Sequence, residues 1–219
     1  MSDRVICGVD DAGRGCIFGP LFIAGVAIRE DVSMQLSSEG VKDSKLLTAQ
    51  QRERLFELIK EKAISYVILS IKPEEVDEYV RRRKKHTKLN YLEAIYMAKA
   101  LNQLHGEVAY VDASDTDVRI FSSQIEKNLQ RKISLVVVHH ADRLFPVVSA
   151  ASILAKVSRD REIEKLKKKL GDFGSGYPSD SRTIKFLREW MINNSSPPPF
   201  TRLSWKTWKR LMQGELTRF

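Results

Sequence analysis

The sequence predicts an α/β protein, a mixed five-stranded sheet flanked by helices with a helical portion at its C-terminal end. Three observations predict it. Five short apolar runs of strand length fall before residue 140. Helical periodicity dominates from residue 147 onward. The first two apolar runs are joined by a glycine-rich turn too short for a crossover, so they pair antiparallel and the sheet is mixed.

Residues 4 to 10 and roughly 19 to 29 read as the first two strands. A helix over 48 to 63 follows, alternating apolar and charged residues at helical period, with Thr48 placed as its N-cap. Ser65–Ile71 is the third strand. Pro73-Glu74-Glu75 signals the start of a helix over 73 to 83, and a longer helix covers roughly 88 to 105. Runs at 107 to 112 and 133 to 139 complete the five strands. An unbroken helical pattern runs from 147 to 170, and further helices cover 180 to 192 and 204 to 214, with a loop at 193 to 199 between them. There is no internal repeat and no separate linker. Residues 1 to 170 form the α/β unit and 171 to 219 the helical portion.

At 219 residues the chain can bury a sizeable core. No apolar run approaches the roughly 20 residues that cross a bilayer. Met1-Ser2-Asp3 leads straight into a strand-like run, which leaves no room for a signal peptide and predicts a cytoplasmic protein. Cys7 and Cys16 have no metal-ligand spacing, so free thiols are expected. The net charge of +9, from 37 Lys and Arg against 28 Asp and Glu, suits a polyanionic partner.

Against that basic background, four carboxylates stand near strand ends. Asp10 and Asp11 close the run Val5-Ile6-Cys7-Gly8-Val9, Asp112 closes Val108-Ala109-Tyr110-Val111, and Asp142 follows Leu135-Val136-Val137-Val138-His139-His140-Ala141. Carboxylate oxygens are the hard ligands that Mg2+ and Mn2+ prefer. Hydrolysis of a phosphodiester needs an activated water and relief of charge on the leaving oxygen, and two divalent ions about 3.5–4 Å apart can supply both. Asp10, Asp11, Asp112 and Asp142 are the expected ligands, and without a cation some of them would hold protons. Neighbours on a regular strand point to opposite faces. Asp10 and Asp11 are therefore expected to share one site only if the strand ends between them.

Gly13-Arg14-Gly15 offers close backbone approach, because glycine has no Cβ and its N–H can bond a sugar hydroxyl or phosphate. Ser152 and Lys156, four apart, share a helix face and could hold backbone phosphate. Lys45 does similar work from its loop. His139 and His140 could act as a general acid, or complete a strand and its loop respectively. His86 and His105 read as surface residues. The basic run at 81 to 85 suits a solvated helix end as well as a nucleic-acid contact.

With these residues in place, the chain resembles ribonuclease HII, particularly the archaeal type. The resemblance rests on Asp10-Asp11-Ala12-Gly13-Arg14-Gly15 with Gly19-Pro20-Leu21, and on Lys42-Asp43-Ser44-Lys45-Leu46. It continues in Tyr110-Val111-Asp112, Ala141-Asp142, the helix from Val147 through Ser152 and Lys156 to Arg159-Asp160, and Gly174-Ser175-Gly176-Tyr177-Pro178-Ser179-Asp180. It covers nearly the whole length, with six motifs in order. The chain departs from the family in Asp11, where glutamate is usual, and in Val138 and His140, where archaeal relatives carry glutamate and lysine.

The resemblance implies an RNase H-like fold and cleavage of the RNA portion of RNA–DNA hybrids. It also implies cutting at single ribonucleotides in duplex DNA, leaving a 3′-hydroxyl and a 5′-phosphate, with Mg2+ or Mn2+ as cofactor. It assigns Gly13, Arg14, Gly15 and Tyr177 to reading the ribose beside a DNA nucleotide, with Ser44, Lys45, Ser152 and Lys156 binding substrate nearby. The final residues, Gln213-Gly214-Glu215-Leu216-Thr217-Arg218-Phe219, resemble a sliding-clamp docking motif, with Gln213, Leu216 and Phe219 as contacts. A monomer is expected. Two alternatives stay open at this point. One is another RNase H-fold nuclease, resolvase or integrase-like, which would lack the Gly-Arg-Gly and Gly-Tyr-Pro pair. The other is a hybrid-binding protein whose catalysis Asp11 impairs.

Overall fold

Strand β1 (Val5–Ala12) alternates its side chains between two apolar layers and so takes the centre of the sheet, whose order is β3-β2-β1-β4-β5. The computed structural model describes residues 4–41, 47–84, 86 and 88–214. β1 pairs antiparallel with β2 (Leu21–Arg29), which pairs antiparallel with β3 (Ser65–Ile71). On its other side β1 runs parallel to β4 (Val108–Asp112), itself parallel to β5 (Ser134–Val138). The mixed five-stranded sheet is as the sequence predicts.

On one face Ile6, Ala12, Ala24 and Val26 pack against α7 (Pro146–Leu170) and α2 (Ala49–Lys62). On the other, Cys7, Val9, Ile23 and Ala27 pack against α4 (Leu89–Asn102). The start of α7 crosses β1 so closely that a Cβ at Gly8 would lie 2.2 Å from the Val147 carbonyl oxygen. Only glycine fits there. Both cysteines are free and buried.

A third cluster joins Ile17 and Phe18 to Ile163 and Leu166 of α7, Phe173, Leu187 of α8 (Ser181–Asn193) and Trp208 of α9 (Lys206–Met212). The segment ahead of α9 is also tied to α3 (Pro73–Arg81). Buried Asp77 accepts from the Leu203 amide at 2.8 Å and from the Ser204 amide at 3.0 Å. The helical portion is thus woven into the turn that follows β1, and Phe18 bridges to Thr201.

Among the helices that were expected, boundaries agree where a terminal signal exists. Thr48 forms the predicted N-cap of α2 as part of a reciprocal capping box with Gln51. Three helices were not expected: α1 (Glu30–Ser38), α5 (Val118–Glu126) and α6 (Ala141–Leu144). α5 had a readable signal in Asp117, whose carboxylate accepts from the Arg119 and Ile120 amides. α1 buries only Ser33 and Leu36, and α6 is a single turn, so neither carries a periodic stripe.

Candidate active site

The strand does not end between Asp10 and Asp11, contrary to expectation. β1 continues to Ala12, with Asp10 opposite Ala24 and Asp11 opposite Ile23. The two acids therefore leave opposite faces. Asp10 meets the Ser152 hydroxyl of α7, and Asp11 sits on the α4 side, where the Ser114 hydroxyl donates to it at 3.4 Å. They still share a rim, because the β1–β4 ladder stops at Val9 and Val111 and leaves the last residues of β1 paired on one side only.

Asp112 ends β4, and one of its oxygens accepts from the Ala141 amide at 2.7 Å. Ala141 begins α6, so this bond fixes the turn that carries buried Asp142 to the end of β4. Asp10 is pushed well above the usual carboxylate range by burial, then by the charges of Asp11 and Asp112. Asp11 is pushed up to about 6 by burial, with Asp112 adding to it and Arg14 opposing. Among the described residues no three His, Cys, Asp or Glu side chains converge on one point as a filled metal centre requires. The donor set nonetheless fits a divalent cation. It is all hard oxygen, and its mutual repulsion is the strain that a cation would relieve.

A cleft of about 390 Å3 opens beside these acids, lined by Asp11, Gly13, Arg14, Gly15, Arg52, Ser152, Lys156 and Tyr177. A larger groove of about 710 Å3, lined by residues such as Glu107 and Arg131, lies at the other ends of β4 and β5 and includes none of the four aspartates. In the cleft the Lys156 ammonium pairs with Asp160, and Arg52 approaches the same carboxylate at 3.6 Å. Burial draws Lys156 downward.

Tyr177 faces Gly15, where a Cβ would sit 3.8 Å from the ring. Beneath the tyrosine, buried Arg159 stacks its guanidinium 4.7 Å from the ring centroid and donates to the Ser175 carbonyl and, at 3.1 Å, to Cys16 Sγ. Burial raises the Tyr177 phenol, so it stays protonated and able to donate.

The Arg14 guanidinium turns partly inward. Its Nε lies 2.9 Å from the fully buried Glu93 carboxylate, and another of its nitrogens donates to Asn90 Oδ1 at 2.6 Å. Glu93 is pushed up to about 8 by burial, then by Asp11, with Arg14 opposing. Glu93, Asn90, Arg52 and Arg202 carry no role in the sequence reading. An acid on the otherwise apolar face of α4 was a readable signal, whereas Arg202 lies in a loop without periodicity.

Of the predicted site residues, the structure gathers Asp10, Asp11, Asp112, Gly13, Arg14, Gly15, Ser152, Lys156 and Tyr177 around the rim and cleft, with Asp142 on the α6 turn beside Asp112. Ser44, Lys45, Leu216 and Phe219 lie outside the described residues, and Gln213 is exposed beyond α9. β5 stops at Val138, so His139 does not complete the strand as one reading had it. Both histidines are exposed, and His140 is left-handed with φ 56. His86 and His105 are exposed as expected. In the basic run, Arg81 lies 3.5 Å from Asp77 and Arg82 pairs with Glu78 at 3.0 Å, which favours the solvated helix end.

The ribonuclease HII family model matches residues 7–208. A ribonuclease HII of Pyrococcus furiosus is 47% identical over 211 residues, covering 95% of this chain and 92% of that protein. The crystal structure of ribonuclease H2 from Pyrococcus horikoshii OT3 superposes with a TM-score of 0.87 at 43% identity, covering 95% of this chain and 97% of that one. The ribonuclease HII in the PCNA complex from Archaeoglobus fulgidus superposes at 0.82 with 41% identity, over 92% and 95% of the two chains.

Proposed function

The chain belongs to the ribonuclease HII family, endonucleases that cleave the RNA of RNA–DNA hybrids, and from that premise we propose that it also cuts at single ribonucleotides embedded in duplex DNA. One observation carries the proposal. The crowded aspartates share a rim with a cleft that also holds the Gly13-Arg14-Gly15 turn and Tyr177, so cutting and sugar recognition fall within one small volume. The 2′-hydroxyl is what distinguishes RNA from DNA at such a site.

Asp10, Asp11, Asp112 and Asp142 would hold divalent cations, Mg2+ or Mn2+. When bound, these ions supply water activation and charge relief on the leaving oxygen. The Ser152 hydroxyl steadies the Asp10 carboxylate through a hydrogen bond, which supports a positioning task for it beside any phosphate contact. Lys156 and Arg52 give the cleft a basic wall for the phosphate backbone. The Tyr177 phenol, kept protonated by burial, donates to the sugar or its phosphate while its ring packs on the ribose. The backbone of Gly13 to Gly15 approaches without side chains in the way, and Ser44 and Lys45 contribute from their own loop.

The test is cleavage of duplex DNA carrying one ribonucleotide, with Mg2+ present and both product ends mapped. The proposal expects a nick that leaves a 3′-hydroxyl and a 5′-phosphate. Cleavage of continuous hybrids without any nick at a lone ribonucleotide overturns it.

The tail from Gln213 is proposed to dock on a sliding clamp, supported by the A. fulgidus complex of a 41% identical relative with PCNA. Deleting residues 216–219 removes clamp binding in calorimetry and leaves clamp-free cleavage intact. Absence of binding by the full chain overturns the docking role.

A further inference from the structure

Arg202 is the largest side chain in the molecule to be fully buried among the described residues, and it belongs to no catalytic motif in the sequence. Burying a guanidinium is costly unless its donors are used with good geometry. Its Nη1 donates to the Arg14 carbonyl at 2.8 Å, and its Nε donates to the Gly19 carbonyl at 3.1 Å. The group lies 5.0 Å from the centroid of the Trp205 ring, which limits its swing. The backbone closes the same loop, because the Arg202 amide donates to the Ile17 carbonyl at 2.8 Å and the Gly19 amide to Phe200 at 3.0 Å. One arginine from the C-terminal portion therefore grips both ends of the turn that follows β1.

The consequence lies in the peptide plane. No peptide bond among the described residues is cis, and in a trans peptide the C=O and N–H point in opposite directions. With the Arg14 carbonyl drawn inward to Arg202, the Gly15 N–H of that same peptide is aimed away from it. Gly15 is exposed, lines the cleft and faces the Tyr177 ring.

We infer that Arg202 is a positioning residue for ribose recognition: by holding the Arg14 carbonyl it orients the Gly15 N–H into the cleft opposite Tyr177. The inference rests on the proposed reading of single ribonucleotides and names the device that sets it. It separates recognition from cutting, because Arg202 hydrogen-bonds the glycine turn and none of the four aspartates, and it acts on Asp11 only through its charge, which Arg202→Lys keeps. A continuous hybrid presents many riboses, so a misaimed donor is tolerated there. A lone ribonucleotide presents one.

The test compares kcat/KM on duplex DNA with one ribonucleotide and on a continuous RNA–DNA hybrid, for the parent and for Arg202→Lys in the full chain. Lysine keeps the charge but lacks the planar fork that reaches two carbonyls. The expected result is a fall of about tenfold on the lone ribonucleotide, the effect of one lost hydrogen bond, with the hybrid nearly unchanged. An equal fall on both substrates, or no fall on either, overturns the inference while the parent's activity on lone ribonucleotides leaves the wider reading standing. A parent inactive on lone ribonucleotides overturns both. Should Arg202→Lys fail to fold, Asp77→Asn carries the test, since it loosens the Leu203–Ser204 backbone next to Arg202 without touching the guanidinium. It should lower the same ratio by less, and an unchanged ratio in folded Asp77→Asn overturns the inference.

Discussion

On the acidic side of the cleft every functional group hangs from the end of a regular element: Asp10 and Asp11 from β1, Asp112 from β4, Asp142 from α6. The facing wall, Gly13 to Gly15 and Tyr177, hangs from turns gripped at a distance by Arg159 and Arg202. The sheet ladder places the first set, and its cost is electrostatic, because burial and mutual charge push Asp10 and Asp11 up. Long side chains from α7 and the C-terminal portion place the second set, and its cost is the desolvation of two buried guanidiniums. On the proposed roles, substitutions on the first wall are therefore expected to change chemistry with little effect on shape, and substitutions on the second to change shape and hence selectivity.

The hardest test of that contrast is Asp10→Asn or Asp112→Asn. Each removes an anionic oxygen at nearly constant volume, so cleavage should fall by about a thousandfold or more, the scale on which loss of one member of a catalytic unit acts. Hybrid binding should persist. In the absence of divalent cation, Asp10→Asn should melt no lower than the parent, because a crowded charge has gone. Near-parental turnover in either variant refutes the ligand assignment.

Tyr177→Ala probes the other wall. The phenol and ring are lost, so cleavage at a lone ribonucleotide should drop by roughly tenfold more than cleavage of a continuous hybrid. Equal losses on both substrates count against a recognition role.

A smaller effect sharpens the electrostatic half. Asp11 rises from an ordinary 3.8 to about 6, so the folded state holds this proton more tightly than the unfolded state does. Its contribution to stability is complete below 3.8 and is lost as pH climbs through about 6. Thermal melts in chelator across that window should show a decline that Asp11→Asn flattens. Added Mg2+ should stabilise the parent mainly above it. A parent and variant with parallel profiles would remove Asp11 from the charged cluster.

The smallest expected change is Asp11→Glu, which restores the side-chain length usual in the family. Turnover should be retained or should rise by a few-fold, within the range of about 1 kcal/mol. A large fall measured in the same assay would mean that Glu93, Arg14 and Ser114 have adapted to the shorter acid.

Much of the acidic wall was legible because its signals are local. An apolar run that stops at an acid marks a strand end, and the reciprocal cap at Thr48 or the Pro73 start reads directly from neighbouring residues. The assumption about Asp10 and Asp11 failed for a non-local reason. Whether two adjacent residues on one strand can serve one rim depends on where the neighbouring ladder stops, and that is Val9 against Val111, about a hundred residues apart. α5 was missed although Asp117 announces it, while α1 and α6 offer too few buried positions to register.

By itself, then, the sequence determined the mixed sheet, the four strand-end aspartates and the glycine turn, since each depends on residue type within a few positions. Tertiary structure decided which groups hold that turn in working shape. Glu93 and Asn90 reach Arg14 from α4, Arg159 reaches Ser175 from α7, and Arg202 reaches Arg14 across a separation of 188 residues. Such contacts leave no periodic trace, because a long side chain can satisfy a distant carbonyl from almost any loop once the fold has brought the two together.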